Sequence, residues 1–428
     1  MAGCGDRGRS APSARPPKGP RSAMLAPARI GAALLAAGLL TGLATGPALA
    51  DSGAPSAPAS ATAPSSPPAP AAVPSALYGK SDPTYDGVYR QSLALLALKA
   101  TGQTPPTAAV DWLKGQQCTD GGWPSFRADT GTACAAATED SNATALAMQA
   151  LVALGGHQDA VDKGTGWLKA NQNADGSWSY NPGNAGDANS TGLAVSALHA
   201  AGVDPKTVAK QGKSGVQALT ALQLDCKAAA DQRGALAYQA AAPGAAPAAN
   251  ALATAQAELA LADGSLPVTA GSAQPGAPKP LDCSGAVAPA EGSAAYLVGT
   301  LGANGQHLML AMPGAAPTPD FAATSWAVLS LAKAGYGAQA GPAVDWLSAN
   351  AAGWLHNKSG TDAAATATLI LTTKAAGRDP HSFAGADLVS SLAAAGPAAP
   401  STAPSTPPPS TAAARAASTR SGSRAAAC

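Results

Sequence analysis

The stretch Asp111-Trp112-Leu113-Lys114-Gly115-Gln116-Gln117-Cys118-Thr119-Asp120-Gly121-Gly122-Trp123 decides the fold, because it recurs. A second copy lies 55 positions on, as Trp167-Leu168, Gln172, Gly176 and Trp178. A worn copy runs through Leu219, Gln223 and Gly234, and a late one through Asp345-Trp346-Leu347, Asn350, Gly353 and Trp354. Self-similarity of this kind marks a chain built from one repeated supersecondary unit.

The other half of the unit is a helix of constant length. Asp140 to Gly155, Asp187 to Gly202, Asp320 to Gly335 and Asp362 to Gly377 each span 15 residues from acidic start to glycine stop. Asp86 to Gly102 is one residue longer, and Ala248 to Gly264 is the same helix with its acid lost. Asp accepts orphan N–H groups at the positive dipole end, and Gly takes the left-handed stop. These helices are rich in Ala, Leu, Ser and Thr nearly all round, so they are enclosed by other protein and form an inner wall. Partner helices are expected near 106–117, 159–172, 207–224, 290–301, 340–350 and 382–395.

Six pairs result. In a linear stack the first inner helix has no partner before it and the last outer helix none after it, and an open end needs a polar cap. The two leftovers can complete each other. The body, 77–396, is therefore predicted to be all-α, a closed (α/α)6 toroid with every inner-helix N-terminus at one mouth.

Outside it, residues 1–50 read as a signal peptide: Arg29 leads into the apolar run Ile30 to Leu43, and Ala48-Leu49-Ala50 supplies the cleavage pattern. Met24 is a second candidate start. Residues 51–76 form an Ala/Pro/Ser linker and 397–428 a similar tail, both too poor in large apolar groups to offset the entropy of ordering. The chain is thus expected to be secreted, with no stable membrane span once mature. Charged residues are 12% and the formal net charge is +1, which excludes a basic face for nucleic acid.

Of six cysteines, Cys118, Cys134, Cys226 and Cys283 fall in the body. In an oxidising exterior Cys118 with Cys134 can close a short bridge and Cys226 with Cys283 can staple a longer insertion, buried thiols being the alternative. Without a CxxC, and with the histidines scattered, no metal site is expected.

The Trp-Leu-x3-Gln-x(3-5)-Gly-x-Trp pattern resembles the QW motif of the terpenoid-cyclase and protein-prenyltransferase superfamily, the prenyltransferase/squalene-oxidase repeat. The resemblance implies an α/α ring in which Gln117, Trp123, Gln172 and Trp178 brace the repeat from outside. In its squalene-hopene cyclases a DxDDTA-type acid cluster starts cyclisation by protonation. The nearest match is Glu139-Asp140-Ser141-Asn142-Ala143-Thr144, with Asn142 where a further carboxylate would stand. No zinc-binding Asp, Cys and His set of the prenyltransferases is visible.

In export, single-ring size and cysteines the chain also resembles the cobalamin carriers of the transcobalamin and intrinsic-factor type. That likeness implies a secreted, non-catalytic ligand-binding protein, with cobalamin or another polar molecule as the ligand, no certain cofactor, and a membrane uptake system as partner. The rim groups expected to hold the ligand are Asp140, Asn142, Thr144, Asp187, Asn189, Thr191, Asn250, Asp320 and Asp362. Helix capping accounts for the acids equally well. The alternatives are a terpene-cyclase-like enzyme using Glu139 and Asp140 as proton source, and a structural cell-surface module. Glu258 is a further candidate cavity acid.

Overall fold

The computed structural model describes residues 72–397, except 282, 286 and 311–314. The signal peptide, the linker up to residue 71 and the tail from residue 398 lie outside the described residues. Within them the α-helices follow in chain order as α1 (Gly87–Ala100), α2 (Thr107–Gly115), α3 (Ser141–Leu154), α4 (Gln158–Ala170), α5 (Ala188–Ala200) and α6 (Gly215–Leu222). They continue as α7 (Ala251–Leu261), α8 (Pro289–Ala303), α9 (Phe321–Lys333), α10 (Gly337–Asn350), α11 (Ala363–Ala375) and α12 (Leu388–Ala394). Only short two-stranded hairpins accompany them. No helix among the described residues is long and apolar enough to cross a membrane.

Odd-numbered helices pack in the cycle α1, α3, α5, α7, α9, α11 and back to α1, and each even-numbered helix lies on the inner helix before it. The ring is therefore the closed all-α toroid that the repeat predicts. Closure has its own contacts: the Gly79 N–H donates to the Ala395 carbonyl (2.9 Å) and Asn357 Nδ2 to Ser81 Oγ (3.0 Å). Gly396 lies so close against the Tyr78 ring that a Cβ there would collide with it.

The inner helices are buried on every side, as in α3, where Ala143 through Leu151 are all inaccessible. An outer layer covers one face and side chains fill the lumen, so an all-round apolar composition is what the position demands. Small residues let the inner helices approach closely. At Gly192 a Cβ would stand 3.0 Å from the Ala257 Cα on α7.

The first three QW units share one brace. Gln117 Nε2 donates to the Gly121 carbonyl (3.0 Å) and, across the repeat, to Ala160 (2.9 Å) at the start of α4. Gln172 does the same to Gly176 and Val208, and Gln223 to Gly234 and Pro289. The indoles of Trp123 and Trp178 are buried and donate to the carbonyls of Leu113 and Leu168. Gly121, at φ +107°, sits against the Lys163 backbone, where a side chain has no room.

Two helix starts and one cap differ from the sequence reading. The helix expected over 207–224 is shortened to α6 because the chain turns back at Gln211-Gly212, and Ser214 starts the helix with a capping box closed by Gln217. The helix expected over 382–395 begins only at Leu388, after left-handed Ala384-Gly385 and the cap Asp387. Asp86 makes no cap: its carboxylate turns to the Arg90 guanidinium, 3.0 Å away and buried. Both cysteine pairs form disulfides, Cys118–Cys134 and Cys226–Cys283. The second encloses α7 instead of stapling one irregular insertion.

Candidate functional site at the N-terminal mouth

The inner-helix N-termini share one mouth, and most of the polar side chains expected to face a ligand there are bound to backbone. Asp140 Oδ1 accepts the Asn142 and Ala143 N–H groups (2.7 and 3.0 Å). Asp187 caps at Ser190, Asn250 at Ala253, Asp320 at Ala323 and Asp362 at Ala365. Thr144 and Thr191 are buried, and their hydroxyls accept the backbone N–H of Trp123 (2.9 Å) and Trp178 (3.0 Å). These threonines tie the QW loop to the inner helix.

Asn142 and Asn189 behave differently. They hold the same place, two residues past the cap. Asn189 Nδ2 donates to Gln256 Oε1 on α7 (2.6 Å), while Asn142 Oδ1 is buried with no partner. Gln256 also meets the Tyr89 hydroxyl, which pairs in addition with Trp326. Since α1 and α7 lie opposite each other in the ring, this contact reaches across the lumen. Burial lifts the Tyr89 phenol well above its usual range, helped by the nearby Asp140 charge.

Asp140 is the acid best placed for chemistry. It is 3% exposed, and burial raises its carboxyl above the ordinary value against the opposing pull of its N–H and hydroxyl donors. The Ser125 hydroxyl donates to Asp140 Oδ2 (2.8 Å) and lies 3.0 Å from the Tyr180 hydroxyl. Tyr180 is 42% exposed, so the three groups form a chain from a buried acid to solvent.

Glu139 does not join Asp140. Its carboxyl turns away from the lumen to the indole N–H of Trp167 on outer helix α4. Burial lifts it from the ordinary 4.5 to about 7. Glu258 likewise faces outward, toward Ser293 of α8, fully buried with Oε1 unpartnered. Cys118, Cys134 and Glu139 lie within 4.8 Å of one another, a metal-like grouping, but the sulfurs are spent in a disulfide.

Ser125, Tyr180 and Tyr238 were not expected at the mouth. Each stands two residues past Trp123, Trp178 or Leu236, and their carbonyls accept the N–H of Val88, Ser141 and Ala188 at the start of the preceding inner helix. Counting two beyond each QW tryptophan would have found the first two.

Residues 76–196 match the family model described as Squalene-hopene cyclase C-terminal domain. The match supports the terpenoid-cyclase and protein-prenyltransferase superfamily for this ring, and it takes in Glu139 through Thr144. No curated protein matches the chain. Among solved structures, ent-copalyl diphosphate synthase from Streptomyces platensis aligns at 18% identity and TM-score 0.41, over 68% of this chain and 50% of that one. The aligned part thus spans half the length of that synthase. A protein from Actinoplanes aligns at 17% identity and TM-score 0.42, over 70% of this chain and 92% of that one. A type II terpene cyclase from Scytonema in complex with its product merosterolic acid A aligns at 17% identity and TM-score 0.30, over 68% and 98%.

The expectation of a non-catalytic, cobalamin-like ligand carrier does not hold. The family model that matches is that of a cyclase domain, not of a cobalamin carrier. The geometry explains why the rim misled: its carboxylates are occupied as caps.

Proposed function

We propose that the ring is an exported, terpene-cyclase-like enzyme that protonates a linear isoprenoid, with Asp140 as the acid. One observation carries the reading. A buried carboxyl of raised proton affinity sits at the inner-helix mouth, inside the segment matched to the squalene-hopene cyclase C-terminal domain.

In this reading the neutral Asp140 carboxyl releases its proton from Oδ2 to an alkene carbon. The alkene π electrons form the new C–H bond and leave a cation, which the next double bond attacks to close a ring. Loss of a proton to water then restores an alkene, so the product is an isomer of the substrate. The two N–H groups on Oδ1 stabilise the carboxylate left behind. Its proton returns from Tyr180 through Ser125, and water resupplies Tyr180. The substrate meets Asp140 at the mouth, where Tyr89 and Tyr180 are the nearby aromatic side chains that can stabilise a cation.

Export is supported by the apolar run ending in Ala48-Leu49-Ala50 and by two disulfides suited to an oxidising compartment. N-terminal sequencing of the secreted chain is expected to begin at Asp51. Incubation with squalene and with a linear diphosphate tests the enzyme reading. A cyclised isomer absent from Asp140→Asn supports it. No product from either, or product persisting in that variant, defeats it.

A further inference from the structure

The opposite mouth, at the inner-helix C-termini, is only partly covered. Residues 263–274 leave α7 and cross it as a strap. Leu266 is buried there, and its N–H donates to Gln149 Oε1 on α3 (2.8 Å). The Gly271 N–H then donates to the Ala332 carbonyl and the Gln274 N–H to Gly335, both at 3.0 Å, at the end of α9. These anchors hold the strap over the α3, α7 and α9 ends.

The α1 and α11 ends are left with a cavity of about 390 Å³ between them and the strap. Lys99 and Lys374 line it together with Thr269, and Ala100, Val268 and Leu371 supply apolar wall. That volume lies within the roughly 300–1,000 Å³ of small-molecule sites. Neither ammonium has an ion pair or hydrogen bond among the described residues.

A lysine in a last turn complements its helix dipole, which explains each residue singly. Together they overshoot. The ends of α1, α3 and α11 contribute about half a negative charge apiece. Two full ammonium charges exceed these three halves, so the cavity keeps a small positive excess. That excess suits a single negative charge and repays the desolvation of a dianion poorly.

We propose that this cavity binds a monoanionic carboxylate carried on a short apolar stem. The head lies between Lys99 and Lys374, and the stem lies against Ala100, Val268 and Leu371. The site is separate from the Asp140 mouth and does not depend on the chemistry proposed there.

Calorimetric titration of the full chain with octanoate tests it, with acetate, octanol and octyl phosphate as comparison probes. Octanoate is expected to bind most tightly. The double variant Lys99→Gln/Lys374→Gln, which changes only exposed side chains, is expected to weaken octanoate about ten-fold or more and leave octanol unchanged. Asp140→Asn is expected to bind octanoate normally, which separates this site from the cyclase reading. No octanoate binding at about 1 mM, octanol or octyl phosphate binding as tightly as octanoate, or an unchanged double variant would each overturn the proposal.

Discussion

The Ser125 hydroxyl donates to Oδ2 of Asp140 across 2.8 Å, joining the loop after the first QW tryptophan to the cap of α3. Ser125 is also the bridge to Tyr180, so the buried acid has a route to solvent protons. Removing the bridge should slow reprotonation and leave the fold intact. Ser125→Ala is expected to lower cyclisation by about 10²–10⁴-fold, the usual worth of a positioned proton-transfer group. Tyr180→Phe, which keeps the aromatic face, should lose less. Product formation by both variants at the wild-type rate rules the relay out.

Gln172 is buried and its amide serves two carbonyls belonging to consecutive repeats. Gln172→Ala strands both, which costs about 1–3 kcal/mol. Asn350 holds the corresponding place in the late copy, but its Nδ2 only returns to Trp346 of its own helix. Asn350→Ala is therefore expected to cost no more than about 0.5 kcal/mol, as ordinary surface changes do. Urea denaturation of both variants checks the order, and equal losses would show that the amide does not link repeats.

The brace was legible in the sequence because Gln117, Gln172 and the two tryptophans recur at one spacing, and recurrence survives without knowledge of any contact. The caps of α3, α5, α9 and α11 were legible for the same reason. Asp86 was not, because its partner Arg90 lies four residues inside the helix and competes for the carboxylate. Glu139 was misplaced beside Asp140 because both residues are extended, and in extended backbone successive side chains leave on opposite sides. Adjacency in the sequence therefore separated the acids in space. Gln149 and the strap were invisible, since Leu266 reaches it across 117 positions.

Glu258 predicts a pH dependence of stability. Burial raises its carboxyl well above 4.5, so the folded chain holds a proton that the unfolded chain releases. Its contribution is fully present below pH 4.5 and is lost as pH rises from there through the folded-state value. Each pH unit inside that window costs about 1.4 kcal/mol per proton. Glu258→Gln keeps a neutral group beside Ser293 and removes the titration, so its Tm should fall less steeply with rising pH. Glu139 adds a second loss between 4.5 and about 7 that this variant retains and Glu139→Gln removes. Identical Tm profiles for wild type and Glu258→Gln would show that the carboxyl is not protonated in the fold.

The two disulfides should differ in worth, because they close loops of different length. Cys118–Cys134 spans 16 positions and Cys226–Cys283 spans 57. Constraint of the unfolded chain grows with the logarithm of loop length, so the longer bridge is worth about 1 kcal/mol more, on a base of about 2–4 kcal/mol each. It also ties the chain before α7 to the chain after the strap, which raises the cost of letting α7 leave the ring. Cys226→Ala/Cys283→Ala is therefore expected to lower the urea midpoint further than Cys118→Ala/Cys134→Ala. The reverse order would mean that the short bridge acts on the folded state, through the QW loop and Glu139 beside it, more than through the unfolded chain.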